Sequence, residues 1–146
     1  MTTVITGAGR GLGRELARRM AEAGTPVLGT HRGPGALGLD GVEEALLDVT
    51  APDQHRALTE RLDGRAVRLL VCNAGVLLDR HQGLESGYPA EMWAESFAVN
   101  VTGVFLTIQA LLPNLRAARG KIAIISSQMG STERAGGGGT YIYRAS

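Results

Sequence analysis

Cysteine, lysine, net charge and long apolar runs are all scarce in this chain, and each scarcity removes a class of protein. Cys72 is the single cysteine among 146 residues, so no intramolecular disulfide can form. It lies in an apolar run, where a lone cysteine behaves as a small buried hydrophobe. A disulfide-stapled secreted scaffold is excluded, and a cytoplasmic location is the expectation. The start, Met1-Thr2-Thr3-Val4-Ile5-Thr6, has neither the basic residues nor the apolar stretch of an export signal. No apolar run approaches the length that spans a bilayer, so no membrane partner is expected. Net charge is only +1, which gives no global field towards nucleic acid, a membrane or an acidic partner. Lys121 is the only lysine; that bias towards arginine, with 21 glycines, reads as a coding preference rather than a function.

What is present is an alternation of strand and helix patterns. Thr2 to Thr6 is a short apolar run that ends in a glycine-rich turn. Gly11 to Ala23 reads as a helix, with Leu12, Leu16 and Met20 repeating every four residues and Gly24 and Pro26 beyond its end. Pro26 to Thr30 is a second strand, Gly33 to Gly41 a loop, and Ala45 to Leu47 a third strand. Thr50 and Asp53 are spaced as a capping box for a helix that carries Ala57, Leu58, Arg61 and Leu62 on one side. Arg68 to Cys72 is a fourth strand, apolar on both faces as parallel strands are. Ala90 to about Arg116 is a long helical pattern, and Ile122 to Ser126 a fifth strand. The expected fold is α/β: a doubly wound, Rossmann-type parallel sheet of about five strands, incomplete, in one dinucleotide-binding domain over residues 1–146.

Chemistry is concentrated at the first turn. Thr6-Gly7-Ala8-Gly9-Arg10-Gly11-Leu12-Gly13 joins the first strand to the first helix. Glycines there permit a tight turn and let backbone N–H groups approach a pyrophosphate, whose charge the helix N-terminus stabilises. A glycine turn without a ligand is the alternative, and the strand-to-helix context argues against it. No Gly-Lys-Ser/Thr follows, which excludes a Walker-type loop.

This Thr-Gly-x-x-x-Gly-x-Gly wording resembles the short-chain dehydrogenase/reductases, and the resemblance runs along the whole chain. Leu47-Asp48-Val49-Thr50, Asn73-Ala74-Gly75, Val99-Asn100-Val101, Ile124-Ile125-Ser126-Ser127 and Tyr143-Arg144-Ala145-Ser146 follow in the family's order. The last two segments look like the C-factor and sniffer-type carbonyl reductases. The resemblance implies hydride transfer between a nicotinamide cofactor and a carbonyl or alcohol substrate. It assigns Asp48 with Val49 to the adenine side of the cofactor, and Asn73, Ala74 and Gly75 to the cofactor site. It also assigns Asn100 to support of a proton relay, Ser127 to the substrate oxygen and Tyr143 to general acid/base work. A phenol of ordinary pKa, about 10, exchanges its proton poorly at neutral pH. In the family a lysine four residues on lowers it, and that position falls after Ser146, the last residue given. The expectation is a chain truncated before that lysine, inactive alone and self-associating, from a family whose complete members are homo-oligomers. A non-catalytic nucleotide-binding or interaction protein is the alternative.

Without the resemblance, Asn73 could simply satisfy backbone groups at a strand end, and Asp48 could be a strand-end residue. Asn100 has poor propensity for a helix interior and needs a reason to be there. Ser127 is preferred to Ser126 because it stands three residues before Gly130, and Tyr143 to Tyr141 because Arg-Ala-Ser follows it. Tyr141 is expected to be a pocket or packing residue. The second strand is followed by His31-Arg32, and no acidic residue occurs between Val27 and Leu39. Arg32, with Arg10, suits a 2′-phosphate, so NADP is favoured and NAD stays open. His31, His55 and His81 show no metal-ligand spacing; no metal is expected, and all three read as surface residues, with His31 near the cofactor. Gly136 to Gly139 lengthen the interval between Ser127 and Tyr143 and are expected to form a flexible loop beside the substrate site.

Overall fold

The computed structural model describes residues 1–33, 35, 37–134 and 138–146. Gly136 and Gly137, half of the glycine run expected to be a loop, lie outside the described residues. Five strands, β1 (Thr2–Ile5), β2 (Val27–His31), β3 (Val42–Leu46), β4 (Val67–Cys72) and β5 (Lys121–Ile124), form one sheet in the order β3-β2-β1-β4-β5. Every pairing is parallel. Because β1 pairs with β2 on one side and β4 on the other, strand order reverses beside it, and a crevice opens at the strands' C-terminal ends.

The helices are α1 (Gly11–Glu22), α2 (Pro52–Leu62), α3 (Ala90–Phe97), α4 (Gly103–Ala118) and α5 (Tyr141–Ala145). Side chains of β1, β2 and β4 supply most of the strand residues in two cores. On one face Val4, Leu28, Val67 and Leu70 meet Leu58 and Leu62 of α2 and Leu111 and Leu115 of α4. On the other, Ile5, Val27 and Val71 meet Ala17, Leu16 and Met20 of α1. Burial of this kind is worth about 25 cal/mol per Å² of apolar surface and is what fixes the register.

Several boundaries differ from the sequence expectation. The third strand is Val42–Leu46 rather than Ala45 to Leu47, because Glu43 and Glu44 sit on a sheet edge where acids tolerate exposure. The fifth strand stops at Ile124, leaving Ser126 and Ser127 beyond it. Arg68 in β4 is exposed, so that strand is not apolar on both faces. The capping box is absent: Ala51 is the N-cap of α2 with Pro52 opening the helix, and Thr50 gives both its amide and its hydroxyl to Asp48, at 2.9 and 2.7 Å. In α2 the buried residues are His55, Leu58 and Leu62, while Ala57 and Arg61 are exposed. His55 is therefore a core residue, not a surface one, and is 5% exposed.

The long helix from Ala90 is continuous to Ala118, 29 residues, with a π-helical turn over Ala98–Thr102 between α3 and α4. By length and composition it is apolar enough to cross a membrane, which corrects the expectation that no stretch reaches that size. Here α4 packs along β4 and α2, burying Thr107, Leu111, Asn114 and Leu115.

Candidate functional site

The glycine loop follows β1 into the crevice. Gly7 has φ +69°, a left-handed conformation that favours glycine, and a Cβ there would stand 2.9 Å from the Ala74 Cα. Helix α1 begins with Arg10 as N-cap, without a side-chain hydrogen bond to its amides and without an acid in its first turn. The amides and the positive end of α1 are thus left facing the crevice, as an anion site requires.

Thr6 and Gly13, both named from the sequence, build this loop from behind rather than line the crevice. The Thr6 hydroxyl accepts the backbone amides of both Asn73 and Ala74, each at 3.0 Å. The Asn73 side-chain amide donates to the carbonyls of Thr6 and Gly7, at 3.0 and 3.1 Å. These four bonds tie the ends of β1 and β4 together at the strand-order reversal. Gly13 lies beneath, buried, against the Asn73 side chain and the Gly7 carbonyl.

The crevice is a groove of about 940 Å³. Gly7, Gly9, Arg10, Gly11, Leu12, Arg32, Asp48, Val49, Asn73, Ala74 and Gly75, all named from the sequence, line it. Arg14, Leu37, Leu47, Val76 and Val99 also line it, with no signal for them in the sequence. His31 lines it too. Asp48 is held below the usual carboxylate range by the Thr50 hydroxyl first and the Thr50 amide second, with smaller contributions from the Arg32 and His55 charges.

A second cavity, about 470 Å³, continues from the groove through the shared lining of Arg10 and Asn73 to Val76. Ser127, Tyr143 and Asn100 all line it, and so does Ser126. Ser127 is extended (φ −130°), and its hydroxyl accepts the Met129 amide at 3.1 Å, opening the 3-10 turn Gln128–Gly130. Asn100 sits in the π-turn. Its side chain accepts from the Val76 amide at 2.9 Å and donates to the Val76 carbonyl at 3.0 Å and the Ser146 hydroxyl at 2.9 Å. That pair of hydrogen bonds to the backbone N–H and C=O of one residue is the reason a helix interior carries asparagine here. Tyr143 stands on α5, which Arg144 fastens by donating to the carbonyls of Met129 and Gly139, both at 3.1 Å. Tyr141 packs outside the cavity, edge-on to Tyr88 with ring centroids 5.4 Å apart.

Asp79 was invisible to sequence reasoning. It is 1% exposed, and one carboxylate oxygen accepts the amides of Ile142 at 2.8 Å and Tyr143 at 3.3 Å. A single acid in the loop stretch Val76-Leu77-Leu78-Asp79-Arg80 carries no periodicity that would mark it. Among the described residues there is no group of three or more His, Cys, Asp or Glu that could hold a metal.

Comparison with known proteins agrees with this geometry. A family model described as short chain dehydrogenase matches residues 1–146. Retinol dehydrogenase 7 of Mus musculus is 34% identical over 144 residues, covering 92% of this chain and 45% of that protein. The 3-oxoacyl-(acyl-carrier-protein) reductase FabG of Vibrio cholerae is 32% identical over 145 residues, covering 91% of this chain and 57% of that one. The chain therefore spans about half the length of these relatives. Among solved structures, the Pseudomonas aeruginosa RhlG/NADP active-site complex superposes with a TM-score of 0.85 at 29% identity, covering 99% of this chain and 60% of that one. A gluconate 5-dehydrogenase from Burkholderia cenocepacia, in complex with NADP and tartrate, gives 0.81 at 30% identity, with 99% and 59% coverage. With the family model matched from end to end and the parallel sheet shared with these solved structures, the chain belongs to the short-chain dehydrogenases.

Proposed function

We propose that residues 1–146 form the dinucleotide-binding unit of an NADP(H)-dependent oxidoreductase acting on a small carbonyl or alcohol substrate. The observation that carries this is the junction of the two cavities: the groove over the glycine loop opens, along Asn73 to Val76, into the space lined by Ser127 and Tyr143. The relatives crystallised with NADP support the same reading.

The groove fits a phosphorylated dinucleotide. A Cβ built on Gly11 meets nothing within 4 Å, so the turn faces open space, and the uncapped start of α1 supplies donors and positive charge. Arg10 and Arg32 line the rim, where a 2′-phosphate would take charge-assisted hydrogen bonds. Asp48 and Val49 would hold the adenine end. When bound, the nicotinamide supplies or accepts the hydride. The chain's own residues do the rest: the Ser127 hydroxyl holds the substrate oxygen, the Tyr143 phenol gives or takes its proton, and Asn100 fixes the Val76 peptide at the junction of the two cavities. The family's lysine, one position after Ser146 in register, would lower the phenol's proton affinity in a longer chain.

Two further parts of the reading concern setting and assembly. A reducing, cytosolic environment suits a single thiol that is buried and pushed up to about 11 by that burial. Phe97, Val101, Phe105 and Leu112 are exposed along one side of the long helix, with Phe105 at 64%. An apolar stripe of this kind suits association with a second copy.

Calorimetric titration with NADPH and NADH tests the assignment. The chain should bind NADPH about tenfold or more tightly than NADH, the size of one charge-assisted contact. Arg32→Asp should reverse the order by replacing the cation with a carboxylate. Equal affinities before and after the change would overturn the choice of NADP, and no binding of either cofactor would overturn the function.

A further inference from the structure

Helix α5 carries Tyr143 but cannot hold its own beginning. Its N-cap, Thr140, has a left-handed backbone (φ 49°) and makes no side-chain bond to the helix amides; its hydroxyl goes to the Gly139 carbonyl instead. At five residues the helix is too short to be stable by propagation, so its orphan amides need an outside acceptor. That acceptor comes from a distant part of the chain. Asp79, in the loop after β4, places one carboxylate oxygen on the amides of Ile142 and Tyr143.

Two features separate this contact from ordinary packing. Asp79 is 1% exposed, no ion pair among the described residues includes it, and the other oxygen of its carboxyl group is buried without a hydrogen bond. Burying an acid this way is unfavourable, so an arrangement that keeps it must gain elsewhere. The gain is position. Ile142, between the two aromatic residues of α5, is 0% exposed and anchors the helix against the protein. The amide of Tyr143 itself is one of the two groups that Asp79 holds.

We infer that Asp79 is a positioning residue for Tyr143: its buried carboxylate caps α5 from the loop after β4 and fixes the phenol in the cavity that Ser127 shares. The inference rests on the reading of Tyr143 as the proton-transfer group. Asp79 touches neither substrate nor cofactor in it. The pairing of one oxygen with two amides sets the direction in which the helix leaves the loop. Arg144, bonded to the Met129 carbonyl, completes the hold from the Ser127 side.

Amide hydrogen exchange on the 146-residue chain, followed residue by residue by NMR, provides the test. In the unsubstituted chain the Ile142 and Tyr143 amides should be protected. Asp79→Asn retains an oxygen acceptor and should keep that protection; Asp79→Leu should raise exchange at those two amides by about tenfold or more, the worth of a lost buried hydrogen bond. A purely structural role would instead raise exchange throughout the core. With carbon-13 tyrosine, the Tyr143 ring signal, assigned by Tyr143→Phe, should shift on NADPH addition in the unsubstituted chain and in Asp79→Asn. It should not shift in Asp79→Leu at saturating NADPH. If Asp79→Leu does not fold, protection retained in Asp79→Asn supports the inference and protection lost there overturns it. Unprotected amides in the unsubstituted chain, or unchanged ones in Asp79→Leu, also overturn it. Failure of NADPH to bind the unsubstituted chain counts against the cofactor assignment alone, because the exchange measurement needs no cofactor.

Discussion

Gly13 and the side-chain amide of Asn73 adjoin without room for one carbon atom: a Cβ on Gly13 would fall on the Asn73 amide nitrogen and 2.5 Å from the Gly7 carbonyl oxygen. The glycine in the first turn of α1 therefore protects a side chain sixty residues away in sequence, one that joins β1 to β4. We predict that Gly13→Ala destabilises the fold by about 1–3 kcal/mol through overpacking. NADPH affinity should fall with it, since Asn73 must leave the Gly7 carbonyl. Gly11→Ala is the contrast. Its Cβ meets nothing, and the cost is that of its positive φ of 57°, about 1–2 kcal/mol. Urea denaturation beside calorimetry separates the two, and an undisturbed Gly13→Ala would show that Asn73 has a second resting place.

Thr6 should respond to substitution by chemistry rather than by size. Its hydroxyl accepts two backbone amides, and Thr6 is 2% exposed. Thr6→Val keeps the shape and leaves both amides without an acceptor, so a loss of about 1–3 kcal/mol is expected. Thr6→Ser should recover most of it. Equal midpoints for the valine and serine variants would refute the role of the hydroxyl.

His55 makes folding sensitive to acid. Its Nδ1 stands 3.1 Å from the Ala51 carbonyl and its Nε2 3.1 Å from the Thr107 hydroxyl, which also reaches the Gly103 carbonyl at 2.7 Å. Burial pushes the imidazole below its ordinary value, against a smaller raising effect of the Ala51 carbonyl. The neutral ring carries one proton, which it donates either through Nδ1 to the Ala51 carbonyl or through Nε2 to the Thr107 hydroxyl, whose own proton goes to the Gly103 carbonyl. As pH falls below about 6.5, the unfolded chain binds a proton that the folded chain resists. Stability is therefore full above that value and declines on acidification towards the lower folded value; Asp48, also depressed, extends the decline at more acid pH. The melting temperature should drop between pH 7 and pH 5, and His55→Gln should flatten that drop. An identical pH dependence in both proteins would assign the effect to other groups.

The exposed stripe on the long helix gives a prediction about mass. Sedimentation of the chain over a dilution series should show reversible association, and Phe105→Asp should return it to monomer without altering NADPH affinity. Phe105 is 64% exposed, so the charge enters no core. A monomer at every concentration in the unsubstituted chain would leave the stripe unexplained by self-association.

The parts legible in the sequence are those written as local words. The glycine loop, Asn73-Ala74-Gly75 and the pair Ser127 and Tyr143 all occur as short strings, and backbone geometry demands nearly the same residues wherever the crevice is built. His55 was within reach: with Leu58 and Leu62 it makes an i, i+3, i+7 set, the buried face of a helix, but its polarity argued for the surface. Asp79 was not within reach. Its partners lie 63 and 64 residues ahead, and nothing local distinguishes a buried acid from a solvated one. The division of labour in the loop was also hidden, since a sequence shows that Thr6 and Gly13 are present but not that they face away from the groove.

The π-turn at Ala98–Thr102 has a consequence for how this helix tolerates insertions and deletions. A π-turn holds one residue more than regular α-helical winding, so it amounts to a single-residue insertion accommodated without breaking the helix. Deleting Val101, exposed at 44%, would let the backbone rewind as uninterrupted α-helix and retain its ladder of hydrogen bonds. A wide turn and a regular turn each cover about one full rotation, so the segments on either side would keep nearly the same facing. Asn100, inside the turn itself, would lose its bonds to the Val76 backbone, while the Trp93–Phe97 stack would keep its place. The shortened protein should keep both its helical circular dichroism and its near-ultraviolet tryptophan signal. In this stretch the extra residue serves the one side chain that sits in the turn, and the helix on either side is indifferent to it.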